Sequence, residues 1–173
     1  MKRLRTVLAL GLIGILAAGC GGTSLRSYVK RDAPWSMVQR VAILPFELPS
    51  ENPVERQLIT NLFSEELRRT GVYTEVVEVP LSSPVGTGLL DIRAVAKRHR
   101  VDAVFTGTLD DTHGTVVHVR LQDAATEDLL WSGTYTLWAR AEFFSLATQQ
   151  QQFQRAFRKL VRRFRSQTPR STT

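Results

Sequence analysis

The sequence predicts an α/β domain built on a mixed sheet, and three observations carry that prediction. Val41-Ala-Ile-Leu-Pro-Phe46 is an apolar run of strand length, as expected of a strand buried on both faces. Asn52 and Pro53 open a strongly amphipathic stretch that closes at Gly71, which reads as a helix with both ends marked. Val117, Val119 and Leu121 alternate with His118, Arg120 and Gln122, the period of a strand with one wet face.

Taken in order, the chain opens with an export-type signal. Lys2, Arg3 and Arg5 form a positive n-region, Val7 to Ala18 a short apolar h-region, and Ala17, Ala18 and Gly19 lead into Cys20. The apolar run falls short of the roughly 20 residues that a membrane-spanning helix needs. Cys20 is the sole cysteine of the 173 residues. The segment resembles a bacterial lipoprotein signal, with Ala17 where leucine is commonest. That resemblance implies removal of residues 1–19 and lipidation of Cys20, and Gly21 after it favours the outer membrane. With Cys20 acylated, no thiol is left for a disulfide or a metal site.

Residues 20–40 are expected to be a tether. Gly21, Gly22 and Ser24 make its start flexible, and no strand or helix period is sustained. Fully stretched it would span about 70 Å at most. Trp35, after Pro34, is expected to pack on the body.

The domain proper is expected at 41–165, followed by a flexible tail at 166–173. Pro45 should end the first strand. In the helix that follows, Asn52 caps the N-terminus, Pro53 suits the first turn and Glu55 stands where a capping box places its acid. Val54, Leu58, Ile59, Leu62, Phe63 and Leu67 form its apolar stripe, with Glu65, Glu66, Arg68 and Arg69 on the other faces. Val72–Val79 reads as a strand stopped by Pro80, residues 81–88 as a loop, and Leu89–His99 as a shorter helix. Val101–Leu109 is a second buried strand, in which Gly107 permits close backbone approach. Turns at 110–114 and 124–128 frame the alternating strand and a fifth strand at Leu129–Trp138. A helix from Ser145 to Arg165 closes the domain, with Leu146, Phe153, Phe157, Leu160, Val161 and Phe164 on one side. The resulting order is β-α-β-α-β-β-β-α, parallel in its first half and a meander in its second.

The net charge of +7 is unevenly placed. Seven basic residues and no acidic one follow Ser145, whereas residues 20–144 hold 13 basic against 16 acidic residues. The basic character belongs to one end of the molecule. Arg155, Arg158, Lys159, Arg162 and Arg163 oppose the apolar face of the last helix. They are candidates for binding anionic lipid or a partner, with Trp138 a candidate aromatic contact beside them. A merely solvated face is the alternative. Export sets nucleic acid aside as a partner.

Catalytic signals are sparse. Asp110, Asp111 and His113 coincide with a glycine-containing turn and are read as turn chemistry, not as a metal or acid–base site. His118 reads as a solvated residue, and His99 suits the C-terminal end of a basic helix. Gly86-Thr-Gly88 has Asp91 where a dinucleotide loop needs glycine. Neither Gly-x-Ser-x-Gly nor His-Glu-x-x-His occurs. The chain is therefore read as non-enzymatic and without cofactor or metal; an envelope enzyme acting on glycan through Asp110, Asp111 and His113 is the competing reading.

Val41-Ala-Ile-Leu-Pro-Phe46, Glu66-Leu-Arg-Arg-Thr-Gly71, Val101-Asp-Ala-Val-Phe-Thr-Gly107, Leu121-Gln-Asp-Ala-Ala-Thr126 and Leu130-Trp131 together resemble a domain of bacterial envelope lipoproteins. It is the domain shared by CsgG, LpoB and the N-terminal part of TolB, and the resemblance spans about residues 41–137. It implies an anticodon-binding-like α/β sandwich used for protein contacts. The barrel-forming segments of CsgG-type pores and the long tether of LpoB have no counterpart here. The compact size is also similar to PelC, a ring-forming component of exopolysaccharide export. The resemblance thus implies a periplasmic scaffold or regulator of an envelope assembly or export complex, anchored to the membrane through Cys20, and allows a homo-oligomer.

Overall fold

The computed structural model describes residues 23–50, 52–80, 92–110, 115–137 and 146–168. Within them the elements are β1 (Thr23–Val29), a 3-10 turn (Trp35–Met37), β2 (Arg40–Ile43), α1 (Pro53–Arg68), β3 (Glu75–Glu78), α2 (Ile92–His99), β4 (Ala103–Asp110), β5 (Thr115–Asp123), β6 (Leu129–Leu137) and α3 (Leu146–Gln167). One mixed sheet has the order β1-β6-β5-β4-β2-β3. β2 lies parallel to β3 and β4, and β4, β5, β6 and β1 continue antiparallel. The expected α/β class and its parallel-then-meander division are both present.

β1 is the departure. Residues 23–29 are a strand, not part of a tether, and they pair with β6 over seven positions from Thr23 opposite Leu137 to Val29 opposite Trp131. The expected order therefore gains a strand at its start. The reason it is silent in the sequence lies in its burial. No residue of this edge strand is fully buried, and only Val29 packs against the main core. Ladder hydrogen bonds hold it, so no apolar period is needed.

β2 behaves as its composition demands. Val41, Ala42, Ile43 and Leu44 are each at most 1% exposed, because the strand has helices on both sides. Val41 and Ile43 face α1 and α3 with Phe46, Phe63, Phe105, Phe157 and Phe164. Phe157 lies edge-on at 5.4 Å from both Phe46 and Phe63, and Phe105 meets Phe164 at 5.8 Å. Ala42 and Leu44 face the other way, with Val104, under Ile92, Val95 and Ala96 of α2. Where α2 ends, the same face of β5, β6 and β1 is more open, with Arg26 and Arg120 exposed on it.

α1 forms where its signals place it. The Asn52 side chain accepts from the Val54 N–H at 3.0 Å, and Gly71 takes a positive φ of 62° just past the C-terminus. Glu55 bonds the Ser50 hydroxyl at 2.6 Å in place of the reciprocal capping-box contact. Glu66 departs from the expected outer face: it is 6% exposed. At Gly107 the backbone passes so close to Phe46 that a Cβ would enter the ring. Trp35 packs on the body as expected, 8% exposed, its indole N–H donating to the Lys30 carbonyl at 3.1 Å.

Candidate interaction surface

α3 is the best-defined candidate. Phe153, Ala156, Phe157, Leu160, Val161 and Phe164 are buried beneath it, so the 3.6-residue period turns Arg155, Arg158, Lys159, Arg162, Arg163 and Arg165 outward. The structure divides these cations. Arg158 donates to Glu66 Oε1 at 3.3 Å and so reaches α1. Lys159 lies 3.2 Å from the Tyr135 hydroxyl, with its ammonium 5.2 Å from the ring centre. Arg163 donates to the Ser27 hydroxyl of β1 at 3.1 Å. Arg155, Arg162 and Arg165 are exposed and have no hydrogen-bond or ion-pair partner among the described residues.

The tied contacts also give the helix its direction. Lys159 meets Tyr135, which stands opposite Leu25; Arg163 meets Ser27; and Gln167 accepts from the Trp131 indole, opposite Val29, at 3.2 Å. α3 therefore runs parallel to β1, from the Thr23 end of the sheet toward the Val29 end.

Glu66 is the member that pattern reading missed. It bridges Arg69 at 3.1 Å on its own helix and Arg158 at 3.3 Å on α3. The available signal was its position four residues after Leu62 and three after Phe63, at the margin of the apolar stripe. Elsewhere Lys30 ties the end of β1 to Asp128 at 2.7 Å. That hydrogen bond and the opposite charge raise the Lys30 ammonium above its ordinary value and lower the Asp128 carboxyl.

Cys20 and Trp138 lie outside the described residues, as do Asp111 and His113. Asp110 is the last residue of β4, opposite Val116. His118 sits on the open sheet face with its Nδ1 2.9 Å from the Thr134 hydroxyl. His99 is the last residue of α2, its Nε2 buried and unpartnered among the described residues. Among the described residues no three His, Cys, Asp or Glu side chains approach closely enough to hold a metal ion, and no helix is long and apolar enough to cross a membrane.

No family model matches the chain, and no curated protein does. Among solved structures it is similar to the PelC dodecamer from Paraburkholderia phytofirmans, at 15% identity and a TM-score of 0.58, over 81% of this chain and 95% of that one. A variant of the same dodecamer in another crystal form gives 16% identity and a TM-score of 0.55, over 80% and 98%. Lipoprotein GNA1162 from Neisseria meningitidis gives 17% identity and a TM-score of 0.45, over 78% and 99%. The likeness to PelC is one of fold, and at that level the resemblance read from the sequence holds.

Proposed function

We propose that this chain is a lipid-anchored protein of the bacterial envelope, held at the periplasmic face of the outer membrane through Cys20. There it acts without catalysis, as a scaffold or regulator of an assembly or export complex. One observation carries the reading: β1 starts at Thr23, three residues after Cys20. Three residues reach about 11 Å at most, so an acyl chain on Cys20 would hold the sheet itself against the headgroups. The signal-like residues 1–20 and the PelC-like fold support the same reading.

The test is Cys20→Ser in cells that process the native signal. The variant is expected in the soluble periplasmic fraction with the wild-type protein in the membrane fraction. A variant still membrane-bound and still cleaved at the same site would overturn the anchor. Asp111→Asn with His113→Ala is expected to complement a deletion fully; loss of function at normal folding and membrane level would favour the enzyme reading.

A second reading, a ring-forming subunit of an export machine, is favoured by the dodecameric state of the PelC structures. The mass of the soluble form lacking residues 1–20 decides it: a multiple of the monomer supports a ring, and a strict monomer at high concentration, with and without lipid, sinks it.

A further inference from the structure

The division among the cations of α3 singles out one set. Arg158, Lys159 and Arg163 are committed to Glu66, Tyr135 and Ser27, and together they clamp the helix on both flanks. Arg155, Arg162 and Arg165 have no such partner among the described residues. The first two are seven residues apart, about 10.5 Å along the axis, and the third is one turn further on the same side. With the opposite face of the helix buried, this row is presented at fixed spacing on an element that cannot roll.

Three observations define what suits the row. Helix and strand rise place Arg155 level with Thr23, and Arg162 and Arg165 about 10 and 15 Å further from that end. A charge exposed to salt acts over a Debye length of about 8 Å, so Arg162 and Arg165 lie beyond that reach from the Thr23 end of the sheet, the end next to Cys20. Second, the phenylalanines of this helix, Phe153, Phe157 and Phe164, are all buried, so the crest offers no ring on which a sugar or base could stack. Third, free guanidinium groups present a planar fork that matches a carboxylate with two parallel hydrogen bonds. α3 itself contributes no carboxylate to satisfy them.

We propose that Arg155, Arg162 and Arg165 form a docking row for an acidic segment of a partner protein, on the part of the body directed away from the anchor. The direction rests on the anchoring of Cys20; the chemistry of docking does not.

The experiment uses the full acylated chain in nanodiscs of phosphatidylcholine, with fluorescent poly-L-glutamate as the probe. Arg155→Gln, Arg162→Gln and Arg165→Gln are combined in one variant. A charge-matched control combines Arg26→Gln, Arg31→Gln and Lys97→Gln, which are exposed elsewhere. The row variant is expected to lose about tenfold or more in affinity at low salt, and the control about twofold or less. Equal losses in the two variants would reduce the effect to net charge and overturn the proposal. So would a larger loss in the row variant toward phosphatidylglycerol vesicles, or toward polygalacturonate, than toward poly-L-glutamate. Failure of the chain to enter nanodiscs, with an unacylated Cys20 by mass spectrometry, counts against the anchor alone. The same binding series in detergent solution then still decides the docking row.

Discussion

Glu66 Oε1 accepts a hydrogen bond from the Arg158 guanidinium at 3.3 Å, joining α1 to α3 across 92 positions of sequence. The carboxylate is withdrawn from water while the guanidinium remains half-exposed. A buried acid whose partners are removed is costly, whereas an exposed pair contributes little. Replacing Arg158 with Gln, which takes a partner from the buried Glu66 carboxylate, is therefore expected to lower the stability by about 1–3 kcal/mol in urea unfolding. Glu65→Gln, which breaks only the exposed pair with Arg69, is expected to change it by about 0.5 kcal/mol or less. Equal effects would mean that the buried bridge adds nothing.

Gly107→Ala is expected to destabilise the domain by about 1–3 kcal/mol, because the new methyl group meets the Phe46 ring inside a close-packed core. Pairing it with Phe46→Leu should recover part of the loss, and strictly additive effects in a double-mutant cycle would refute the collision. Gly133→Ala should behave alike through Trp131 and through Leu160, 2.7 Å from the added carbon.

Tyr73 supplies a pH dependence. Its hydroxyl is buried and has no hydrogen-bond partner among the described residues, although the residue as a whole is only half-buried. Burial pushes its ionisation well above the ordinary value near 10.0. The folded state then holds the proton more tightly than the unfolded chain does. This contribution is complete below about pH 10 and is lost as the pH rises above it. Tyr73→Phe should abolish that alkaline decline and leave the neutral-pH stability unchanged or higher by up to about 1 kcal/mol. An identical pH–stability profile in the two proteins would show that the phenol is not the titrating group.

The place of β1 in the sheet makes a truncation informative. A chain starting at Thr23 is expected to unfold at the same urea concentration as one starting at Cys20. A chain starting at Lys30 should be less stable by about 1–3 kcal/mol, because it loses the β6 ladder and the Ser27 contact to α3. Stability unchanged by removal of residues 23–29 would return that segment to the role of a tether.

What the sequence revealed and what it hid follow from how each element is held. α1 and β2 were legible because burial and capping leave a mark on residue type: Asn52, Pro53 and Gly71 at the ends of the helix, and three consecutive apolar residues, Val41 to Ile43, in the strand. β1 left no such mark, since its partner supplies backbone hydrogen bonds and asks little of its side chains. The outward cations of α3 were legible from period alone. Their division into tied and free sets was not, because Glu66, Tyr135 and Ser27 come from three distant parts of the chain. The burial of Glu66 was hidden for the same reason: its desolvation is offset by a guanidinium that arrives 92 positions later.

The pairing of the first strand with the last also imposes a schedule. Thr23 has no partner until Leu137, 114 positions downstream, is in place, and contacts of such separation form late. A chain emerging N-terminus first must therefore keep residues 23–29 unzipped for most of its passage. On the proposed anchoring, the enzymes that cut before Cys20 and acylate it would need the same stretch loose, only three residues away. Maturation and folding thus compete for one short segment. The topology would settle the contest by delay, leaving the processing site accessible until the edge strand finally closes.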